Sequence, residues 1–529
     1  MPTLKASIVC DFMEEAIWYR LYQGAQIGEH SRCSIYMLEP IYRSAVDSPQ
    51  LYCPECGATH PISLFTKTCS RCSSVLFVGY DYNDVAKNLN KDGTEASGLW
   101  NYSNLLPPSR GPTVSLGEGG TFLQRSSRLA DACGVRTLYL KNETMNPTGS
   151  FIDRGVAVEI SGAVASQVRE LQCAPTGNLG ASLAAYAARA GLECTVNISA
   201  DINPGKLLQM IAYDARIKLG SMAPSRDPKC LRVTPVDPYI LEGEKTIAFE
   251  VWDQLRPKLD THVIAPMGTG GLITMLWKGM RELVKVGVAE EAECRLTGVQ
   301  ASGCAPIVEA FRKNTTVRET ENTETLAIDL KVTRPPLGDM ALDAIHSSHG
   351  SALAVSDEEI LEATRLLAKT EGIFAEPVSA STVAALKKMV DAKEIDPQDE
   401  VVCVITGAGL KDPSATSRLL DRRRRVKFLV RHKGSLEPTI MGKTKTMILQ
   451  LLGKRETYGY EAWKQLGKQG IHIRIPSIYQ HFSELEALGL VERSKTLTVA
   501  GKPERRCYLL TTRGRETLTA LNRFRPDQS

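Results

Sequence analysis

The chain of 529 residues contains no uninterrupted apolar run of about 18 residues, the length that a membrane-spanning helix requires. The sequence therefore predicts no transmembrane helix. The N-terminus also lacks the character of a secretory signal peptide, because Cys10, Asp11, Glu14, Glu15 and Arg20 interrupt its apolar residues. We therefore expect a cytoplasmic protein without membrane contact.

A disulfide framework is missing as well. Of the 14 cysteines, four form one cluster and the others are scattered, which is typical of reduced thiols. The cluster consists of two Cys-x2-Cys pairs, Cys53 with Cys56 and Cys69 with Cys72, with twelve residues between the pairs. Two such turns place four thiolates about 2.3 Å from one zinc and leave no ligand position for a substrate. The sequence predicts a structural zinc in a zinc ribbon, and four reduced cysteines in a small β-rich segment are the alternative.

The net charge of +4 conceals an asymmetry along the chain. Residues 422–529 contain 23 Lys and Arg against 9 Asp and Glu, a balance of +14, whereas the remainder contains 41 against 51, a balance of −10. A basic C-terminal segment on an acidic body is typical of a chain whose C-terminal part binds a polyanion such as DNA. A basic domain without that role is the alternative.

The length predicts about three or four domains. Between residues 83 and 421, short apolar runs alternate with longer helical ones, which predicts an α/β fold with mostly parallel sheets. Predicted strands are Leu138–Leu140, Cys194–Ile198, His262–Ala265, Leu296–Val299 and Val401–Ile405, and predicted helices are Leu179–Ala190, Thr274–Val286 and Asp357–Thr370. The predicted boundaries are an N-terminal extension of unassigned role (1–50), the ribbon with a strand over 75–82 (51–82), the α/β body (83–421), a basic linker (422–441) and a C-terminal domain (442–525).

Arg422–Arg425 cannot be buried, so this run is expected to be a solvated linker or a phosphate-contacting arm. Beyond it, the pattern predicts helices over Lys443–Lys454, Tyr460–Lys468 and Pro476–Leu488, then a hairpin and a last helix from about Arg513. Three helices followed by a two-stranded wing form the winged helix-turn-helix layout.

Residues 443–521 resemble the PadR-like winged-helix regulators, notably in Tyr458–Tyr460, Ile475–Tyr479, Leu488–Val491 and Tyr508–Gly514. DNA contacts are predicted for exposed side chains of the third helix and for basic side chains of the wing: Ser477, Tyr479, Gln480, Ser483, Lys495, Lys502, Arg505 and Arg506. A winged helix that binds a protein is the alternative. Two-fold symmetric DNA sites need two such modules at a fixed spacing, so we expect a homodimer.

One segment of the body, Asn-Pro-Thr-Gly-Ser-Phe-Ile-Asp-Arg-Gly from Asn146 to Gly155, closely resembles the signature of threonine synthases. The resemblance covers about residues 50–415, includes the ribbon, and implies pyridoxal-phosphate fold type II with two open α/β domains. In that family a lysine in the place of Ile152 forms the Schiff base with the cofactor. Isoleucine has no amine for this bond and no base to move protons between substrate carbons.

Three further segments resemble the family's cofactor site: Met267–Gly271, Thr406–Pro413 and Thr176–Asn178. A glycine-rich loop between a strand and a helix presents backbone N–H groups to a phosphate. The resemblance implies that Gly268, Thr269, Gly270 and Gly271 bind the cofactor phosphate, that Thr406 faces the pyridine nitrogen, and that Asn178 bonds the 3-hydroxyl. Taken alone, each segment is also consistent with an ordinary turn.

The segments also depart from the family pattern. Pro175 and Leu179 replace a serine and a threonine around Thr-Gly-Asn, and Asp237 and Ile240 replace an asparagine and an arginine. These changes remove hydrogen-bond donors that a pocket for the phosphate of O-phosphohomoserine, the family's usual substrate, would need.

The sequence therefore favours a non-catalytic, threonine-synthase-like body that senses a small amino-acid-like ligand, fused to a DNA-binding regulator module. Pyridoxal phosphate is expected at most as a non-covalent ligand. The alternative is an active pyridoxal-phosphate-dependent threonine synthase or related lyase with an appended regulatory domain. In that case Ile152 is an isolated substitution, or Lys141 in the same segment replaces the missing amine.

Overall fold

The structure is a computed structural model that describes residues 49–88, 98–108, 111–173, 177–199, 202–220, 227–257, 261–291, 294–321, 323–413, 443–471, 473–497 and 505–523. The chain separates into two compact units, Met1–Asp421 and Arg422–Ser529. Within the described ranges, no helix is long and apolar enough to cross a membrane. Residues 1–48 of the N-terminal extension and the arginine run Arg422–Arg425 lie outside the described residues.

A small antiparallel sheet begins the described part of the first unit. Strand β1 (Gln50–Tyr52) lies between β2 (Thr59–Pro61) and β3 (Phe77–Gly79). Cys53 follows β1 directly, so the sheet positions the first cysteine turn.

The strand predicted over residues 75–82 is only partly correct. Phe77–Gly79 is a strand, but helix α1 already begins at Tyr82 and ends at Asn88. The carboxylate of Asp81 accepts hydrogen bonds from the backbone N–H groups of Asn83 and Asp84, at 3.0 and 3.1 Å. Such an N-cap favours a helix over the continuation of the strand.

Strands and helices alternate through the rest of the first unit. In chain order they are β4 Leu123–Arg125, α2 Ser127–Cys133, β5 Thr137–Asn142, α3 Ile152–Ala165, β6 Glu170–Cys173, α4 Gly177–Ala190, β7 Glu193–Ile198, α5 Pro204–Ala212, β8 Arg216–Leu219 and β9 Cys230–Val233. They continue with α6 Pro238–Glu244, α7 Thr246–Leu255, β10 Thr261–Pro266, α8 Gly271–Lys285, β11 Arg295–Ala301, α9 Pro306–Lys313, α10 Gly338–Ser347, β12 Ser351–Val355, α11 Asp357–Glu371, α12 Pro377–Asp391 and β13 Glu400–Ile405. Each predicted strand of the body lies within an observed one.

These strands form two sheets. The larger has the order β12-β11-β10-β13-β5-β4, and all neighbours are parallel except β4 and β5. The smaller has the order β8-β7-β6-β9 and is entirely parallel. The predicted α/β fold with mostly parallel sheets is confirmed.

Strand β13 is buried on both faces, as expected of a central parallel strand. Val402 and Val404 belong to the apolar core on one side of the sheet, and Val401, Cys403 and Ile405 belong to the core on the other side. This burial explains the continuous apolar run from which the strand was predicted.

The parallel arrangement brings three sequence motifs to one edge of the large sheet. Strands β5, β13 and β10 are consecutive neighbours. Their carboxyl ends lead, respectively, into the Asn146–Gly155 segment, Thr406 and the Gly268–Gly271 loop. In open parallel sheets, ligands bind in the crevice outside this edge.

The second unit contains α13 Lys443–Lys454, β14 Thr457–Tyr458, α14 Gly459–Lys468, α15 Ile475–Ala487, β15 Val491–Leu497, β16 Arg505–Leu510 and α16 Thr512–Arg523. The antiparallel sheet has the order β14-β16-β15. Phe482 of α15 stacks on Tyr508 of β16 with 4.5 Å between ring centroids, which joins the third helix to the wing. The winged-helix prediction is confirmed, and the wing tip, residues 498–504, lies outside the described residues.

Candidate functional site

The Asn146–Gly155 segment is held by a buried polar network. The carboxylate of Asp153 accepts hydrogen bonds from the Thr148 N–H at 2.7 Å, the Thr148 hydroxyl at 2.6 Å and the Ser182 hydroxyl at 2.5 Å. Arg154, fully buried, pairs with Glu143 at 2.7 Å and with Glu250 at 2.6 Å. Buried charges of this kind need paired geometry. Their contacts fix the start of α3, where Ile152 lies.

Ile152 lines a cavity of about 340 Å³ with its side chain 6% exposed. The same wall contains every described residue for which a cofactor contact was predicted: Asn178, Gly268, Thr269, Gly270, Gly271 and Thr406. Thr176 and Pro175 lie outside the described residues. The fold therefore places the predicted cofactor groups around a hydrocarbon side chain.

The glycine loop forms a cradle at the N-terminus of the 15-residue helix α8. A Cβ atom on Gly268 would lie 2.7 Å from the Asp329 carbonyl oxygen, and one on Gly270, with φ of +89°, would lie 2.4 Å from that of Leu337. The N–H groups of Gly268, Thr269 and Gly270 donate to no acceptor in the described part of the chain. Free N–H groups at a helix N-terminus suit an anion.

Thr406 and Asn178 both line the cavity. The Thr406 hydroxyl lies 2.9 Å from the Ser379 hydroxyl, and the Thr406 carbonyl accepts from the Phe151 N–H at 2.9 Å. The Asn178 amide nitrogen donates to Asp329 at 2.9 Å and to Glu376 at 3.0 Å.

A charged cluster in this cavity was not found from the sequence. The Lys206 ammonium lies 2.5 Å from Asp329 Oδ2 and 3.0 Å from Glu376 Oε1. Burial lowers the pKa of Lys206, but the two carboxylates outweigh this effect and raise the pKa above its usual range. Lys206 is therefore held as an ammonium. These three residues come from separate segments without a shared motif, so spacing gave no signal.

Glu244 was also missed. It ends α6, lines the cavity and is only 2% exposed. Its carboxyl group makes no hydrogen bond or ion pair with a described residue, and burial raises its pKa well above the usual range. Each of the other buried acidic side chains in the described ranges has a polar partner: Glu118, Glu143, Asp153, Glu159, Asp237, Glu242, Glu250, Glu282, Glu376 and Asp412.

Two of the departures from the family pattern lie away from this wall. Asp237 pairs with Lys67 at 2.7 Å and accepts from the Thr234 hydroxyl at 2.6 Å. Ile240 is fully buried where α6 crosses α3, and a Cβ atom on Gly155 would lie 2.5 Å from its carbonyl oxygen. Neither side chain lines the cavity, whereas Leu179 does.

Lys141 is not placed to replace the missing amine. Its Nζ donates to the Thr121 carbonyl at 2.8 Å, to Glu250 at 2.7 Å and to Gln254 at 3.0 Å. The side chain is fully buried and does not line the cavity. Its contacts are those of a structural lysine.

The four ribbon cysteines converge, as predicted from their spacing. All four Sγ atoms lie within 4.8 Å of one another, with 3.3 Å between Cys53 and Cys72 and 3.6 Å between Cys56 and Cys69. Tetrahedral zinc with bonds of about 2.3 Å separates its sulfur ligands by about 3.8 Å. The donor set and the separations therefore fit a zinc ion.

In the second unit, the predicted DNA contacts lie on the outside of α15. Tyr479, Gln480 and Ser483 are exposed and Ser477 is half-buried, while Ile478, Phe482 and Leu485 on the other face belong to the core. The Tyr479 ring also packs on Gly459, where a Cβ atom would lie 2.5 Å from its Cε1. Arg506 of the wing is exposed; Lys502 and the side chains of Lys495 and Arg505 lie outside the described residues.

Comparison with known proteins agrees with this arrangement. The sequence model of the pyridoxal-phosphate dependent enzyme family matches residues 114–407, and that of the transcriptional regulator PadR-like family matches residues 448–520. The chain is 41% identical over 381 residues to the threonine synthase of Methanocaldococcus jannaschii, covering 69% of this chain and 94% of that relative. It is 40% identical over 375 residues to the threonine synthase of Methanosarcina acetivorans, covering 69% and 92%.

Among solved structures, the processed form of threonine deaminase isoform 2 from Solanum lycopersicum superposes with a TM-score of 0.48 and 19% identity, covering 56% of this chain and 86% of that one. The family match exceeds half of the chain, and the two curated relatives are each covered over most of their length. The chain belongs to the pyridoxal-phosphate-dependent enzyme family, among homologues of threonine synthase, and has a PadR-like winged-helix domain at its C-terminus.

Proposed function

We propose that this protein is a DNA-binding transcriptional regulator whose threonine-synthase-like body binds a small ligand and performs no Schiff-base catalysis. The observation on which the proposal depends is the position of Ile152, an apolar side chain on the wall of the cofactor-like cavity. By resemblance, the family has its reactive lysine there. Without an amine at this position, the family's chemistry lacks both its nucleophile and its general base.

The cavity still suits a non-covalent pyridoxal phosphate. The Gly268–Gly271 loop would hold the phosphate, Thr406 would face the ring nitrogen, and the free Oδ1 of the Asn178 amide would accept from the 3-hydroxyl. When bound, the cofactor supplies an electron-withdrawing ring and an aldehyde. The residues of this chain supply binding and orientation, which is sufficient for a ligand sensor.

Lys206, the buried lysine of the cavity lining, is a poor replacement for the missing amine. Lys206 is held as an ammonium by Asp329 and Glu376, and an ammonium has no lone pair with which to attack an aldehyde. Lys331 lines the cavity with an exposed side chain. A shift of the Lys206 contacts would leave the buried Glu376 carboxylate and the half-buried Asp329 carboxylate without this cation.

A second function, an active lyase with an appended regulatory domain, is favoured by one observation. The cavity retains its phosphate cradle and places the Lys206 side chain on the same wall as Ile152. That function requires a lysine covalently bound to the cofactor, and the proposed function predicts none. Reduction of the cofactor-treated chain with borohydride, followed by mapping of any labelled lysine, separates the two functions.

We also propose a structural role for the ribbon. Four thiolates saturate a zinc ion, so the metal would hold two turns together and would not contact a substrate. We expect the domain limits 51–82 for the ribbon, 83–421 for the body, 422–441 for the linker and 442–525 for the DNA-binding domain.

DNA binding is proposed for the outside of α15 and for the wing. The PadR-like match, the exposed Tyr479, Gln480 and Ser483, and the balance of +14 over residues 422–529 support this assignment. Phosphate contacts by basic side chains release counterions, whereas contacts of the third helix read base edges. A homodimer would present two such helices to a two-fold symmetric site.

The test is an electrophoretic shift of a mixed-sequence duplex DNA pool by the full chain at two salt concentrations. We expect a retarded complex whose affinity falls about 10³-fold or more between about 50 and 200 mM salt, if at least six phosphates are contacted. An absent shift, or one that salt does not change, would contradict the DNA-binding role.

A further inference from the structure

The cavity wall contains a buried carboxyl group that its surroundings do not satisfy. Glu244 is 2% exposed and without a polar partner in the described ranges, whereas Glu242, two positions earlier on the same helix, accepts from Tyr80 at 2.8 Å and pairs with Lys278 at 2.9 Å. A buried, unpaired carboxylate is costly, so such groups are retained where something pairs with them.

The position of Glu244 is fixed by the backbone rather than by a flexible loop. Helices α6 and α3 cross so closely that a Cβ atom on Gly243 would lie 2.2 Å from the Arg154 carbonyl oxygen. Arg154 and Ile152 belong to the same first turn of α3. The crossing therefore holds the Glu244 and Ile152 side chains on one cavity wall.

Two more acceptor oxygens of this cavity have no donor in the described part of the chain. They are Oδ1 of Asn178 and Oδ1 of Asn203, both buried. The orientation of Asn178 is set by its amide nitrogen, which must face the carboxylates of Asp329 and Glu376. Glu244 and these two amide oxygens of the cavity lining thus lack hydrogen-bond donors among the residues that the structure describes.

The Gly268–Gly271 loop, in contrast, has N–H groups that lack an acceptor within the described ranges. There the free backbone N–H groups and the N-terminus of α8 favour a negative charge. The cavity lining accordingly contains acceptors that require a donor and N–H groups that suit an anion, together with the hydrocarbon side chains of Ile152 and Leu179.

We infer that the cavity binds a ligand with a protonated primary amine and an anionic group, the amine bound non-covalently at Glu244 and the anion at the Gly268–Gly271 loop. This inference rests on the proposed ligand-sensing function and names the chemical class of the ligand. A primary ammonium offers three donors and a charge opposite to that of an ionised Glu244. The ligand brings its own amine, so none is needed at residue 152.

Two sources share this chemistry: the aminated form of the cofactor and a free amino acid. Calorimetric titration of the full chain with pyridoxamine 5′-phosphate, pyridoxine 5′-phosphate and L-threonine distinguishes them. The first two probes have the same ring and phosphate, but pyridoxamine phosphate has an amine where pyridoxine phosphate has a hydroxyl. We expect pyridoxamine phosphate to bind about 10- to 100-fold more tightly than pyridoxine phosphate, the range of a hydrogen bond to a charged group.

The variant Glu244→Gln tests the residue itself. We expect it to remove the preference for the amine, so that pyridoxamine phosphate binds no more tightly than pyridoxine phosphate. The matched control is Glu362→Gln, an exposed site on α11 outside the cavity, which should retain the preference. A thermal melt of each variant without ligand shows whether it is folded. Threonine binding that Glu244→Gln abolishes, without binding of pyridoxamine phosphate, would assign the amine to a free amino acid.

Equal binding of the amine and hydroxyl forms, a preference that survives Glu244→Gln, or no binding of either amine would overturn the inference. None of these results removes the proposed function, because DNA binding and the absence of a lysine-bound cofactor are measured independently of Glu244. Conversely, a lysine-bound cofactor would remove the proposed function whatever the amine preference.

Discussion

At the scale of the residue, Ile152 is an apolar side chain next to polar groups that have buried partners. Asp153 and Arg154, the two residues that follow it, are held by buried hydrogen bonds and ion pairs. The backbone that would present a side chain at residue 152 is therefore held in place, and what differs there from the family pattern is the chemistry of the side chain.

This separation predicts a gain of cofactor attachment by one substitution. Ile152→Lys should give a yellow protein with pyridoxal phosphate, and borohydride should bleach the colour, because the new amine enters a cavity lined by the Gly268–Gly271 loop and Thr406. Absorbance before and after reduction is the measurement. Ile152→Met is the control of similar volume without an amine and should stay colourless. A folded but colourless Ile152→Lys would show that the cavity no longer accepts the cofactor.

The second prediction at this scale concerns Glu244 and pH. Its pKa is raised in the folded state, so above the unfolded value near 4.5 the unfolded chain releases its proton first and the fold loses stability as pH rises. Without ligand, Glu244→Gln should therefore raise the midpoint of urea unfolding at neutral pH, and the gain should vanish at about pH 4. No difference at neutral pH would show that Glu244 has a partner in solution.

Part of the site could be predicted from the sequence, because some of its residues belong to short motifs along the chain. The Gly268–Gly271 loop, Asn178 and Thr406 belong to short contiguous motifs, so their place in one cavity followed once the parallel sheet was assumed. The Lys206 cluster was missed because it depends on contacts between residues more than a hundred positions apart, such as the Lys206–Asp329 pair. No spacing rule reports such pairs. Glu244 was missed because its role depends on burial in the cavity wall and not on a motif.

At the scale of the element, the pattern of apolar residues and the helix caps determined which helices, strands and boundaries could be predicted. Central strands such as β13 are apolar throughout and were placed within a residue. The end of β3 was misjudged because the side chain of Asp81, rather than the apolar run, decides where α1 begins. The apolar pattern was thus sufficient to predict the type of an element, whereas the boundary between β3 and α1 depends on the N-cap at Asp81.

The ribbon gives a prediction about metal content. The purified chain should contain one zinc per chain, and Cys69→Ser should lose it and lower the unfolding temperature, because the metal closes two turns that otherwise rest on a small sheet. Elemental analysis and thermal melts measure both effects. Cys230→Ser, outside the cluster, should keep the zinc. Retention of full zinc content by Cys69→Ser would exclude the four-sulfur site.

The basic wing leads to a prediction about how the affinity for DNA depends on salt concentration. Arg506→Ala should weaken binding to DNA of any sequence to a similar extent and should reduce the slope of log affinity against log salt by about 1, since one phosphate contact is lost. Arg312→Ala, an exposed site on α9 of the body, is the control and should change neither quantity. If the affinity falls for one sequence only, Arg506 reads a base instead.

At the scale of the whole molecule, one chain contains domains of two families, and the segments that contain them have net charges of opposite sign. The body, with its cofactor-like cavity, belongs to the acidic part with a balance of −10, and the PadR-like domain belongs to the basic part with +14. Only the basic part is suited to a polyanion. This division agrees with a body that binds a small ligand and a C-terminal domain that binds DNA.

The most direct test of the account is covalent trapping of the cofactor on the full chain. The protein is incubated with pyridoxal phosphate, reduced with borohydride and mapped by mass spectrometry, and conversion of O-phosphohomoserine is measured on the same preparation. The proposed function predicts no stoichiometric pyridoxyl group on Lys206 or Lys331, the lysines that line the described cavity, and no threonine formed. Stoichiometric labelling of either lysine together with threonine formation would contradict it.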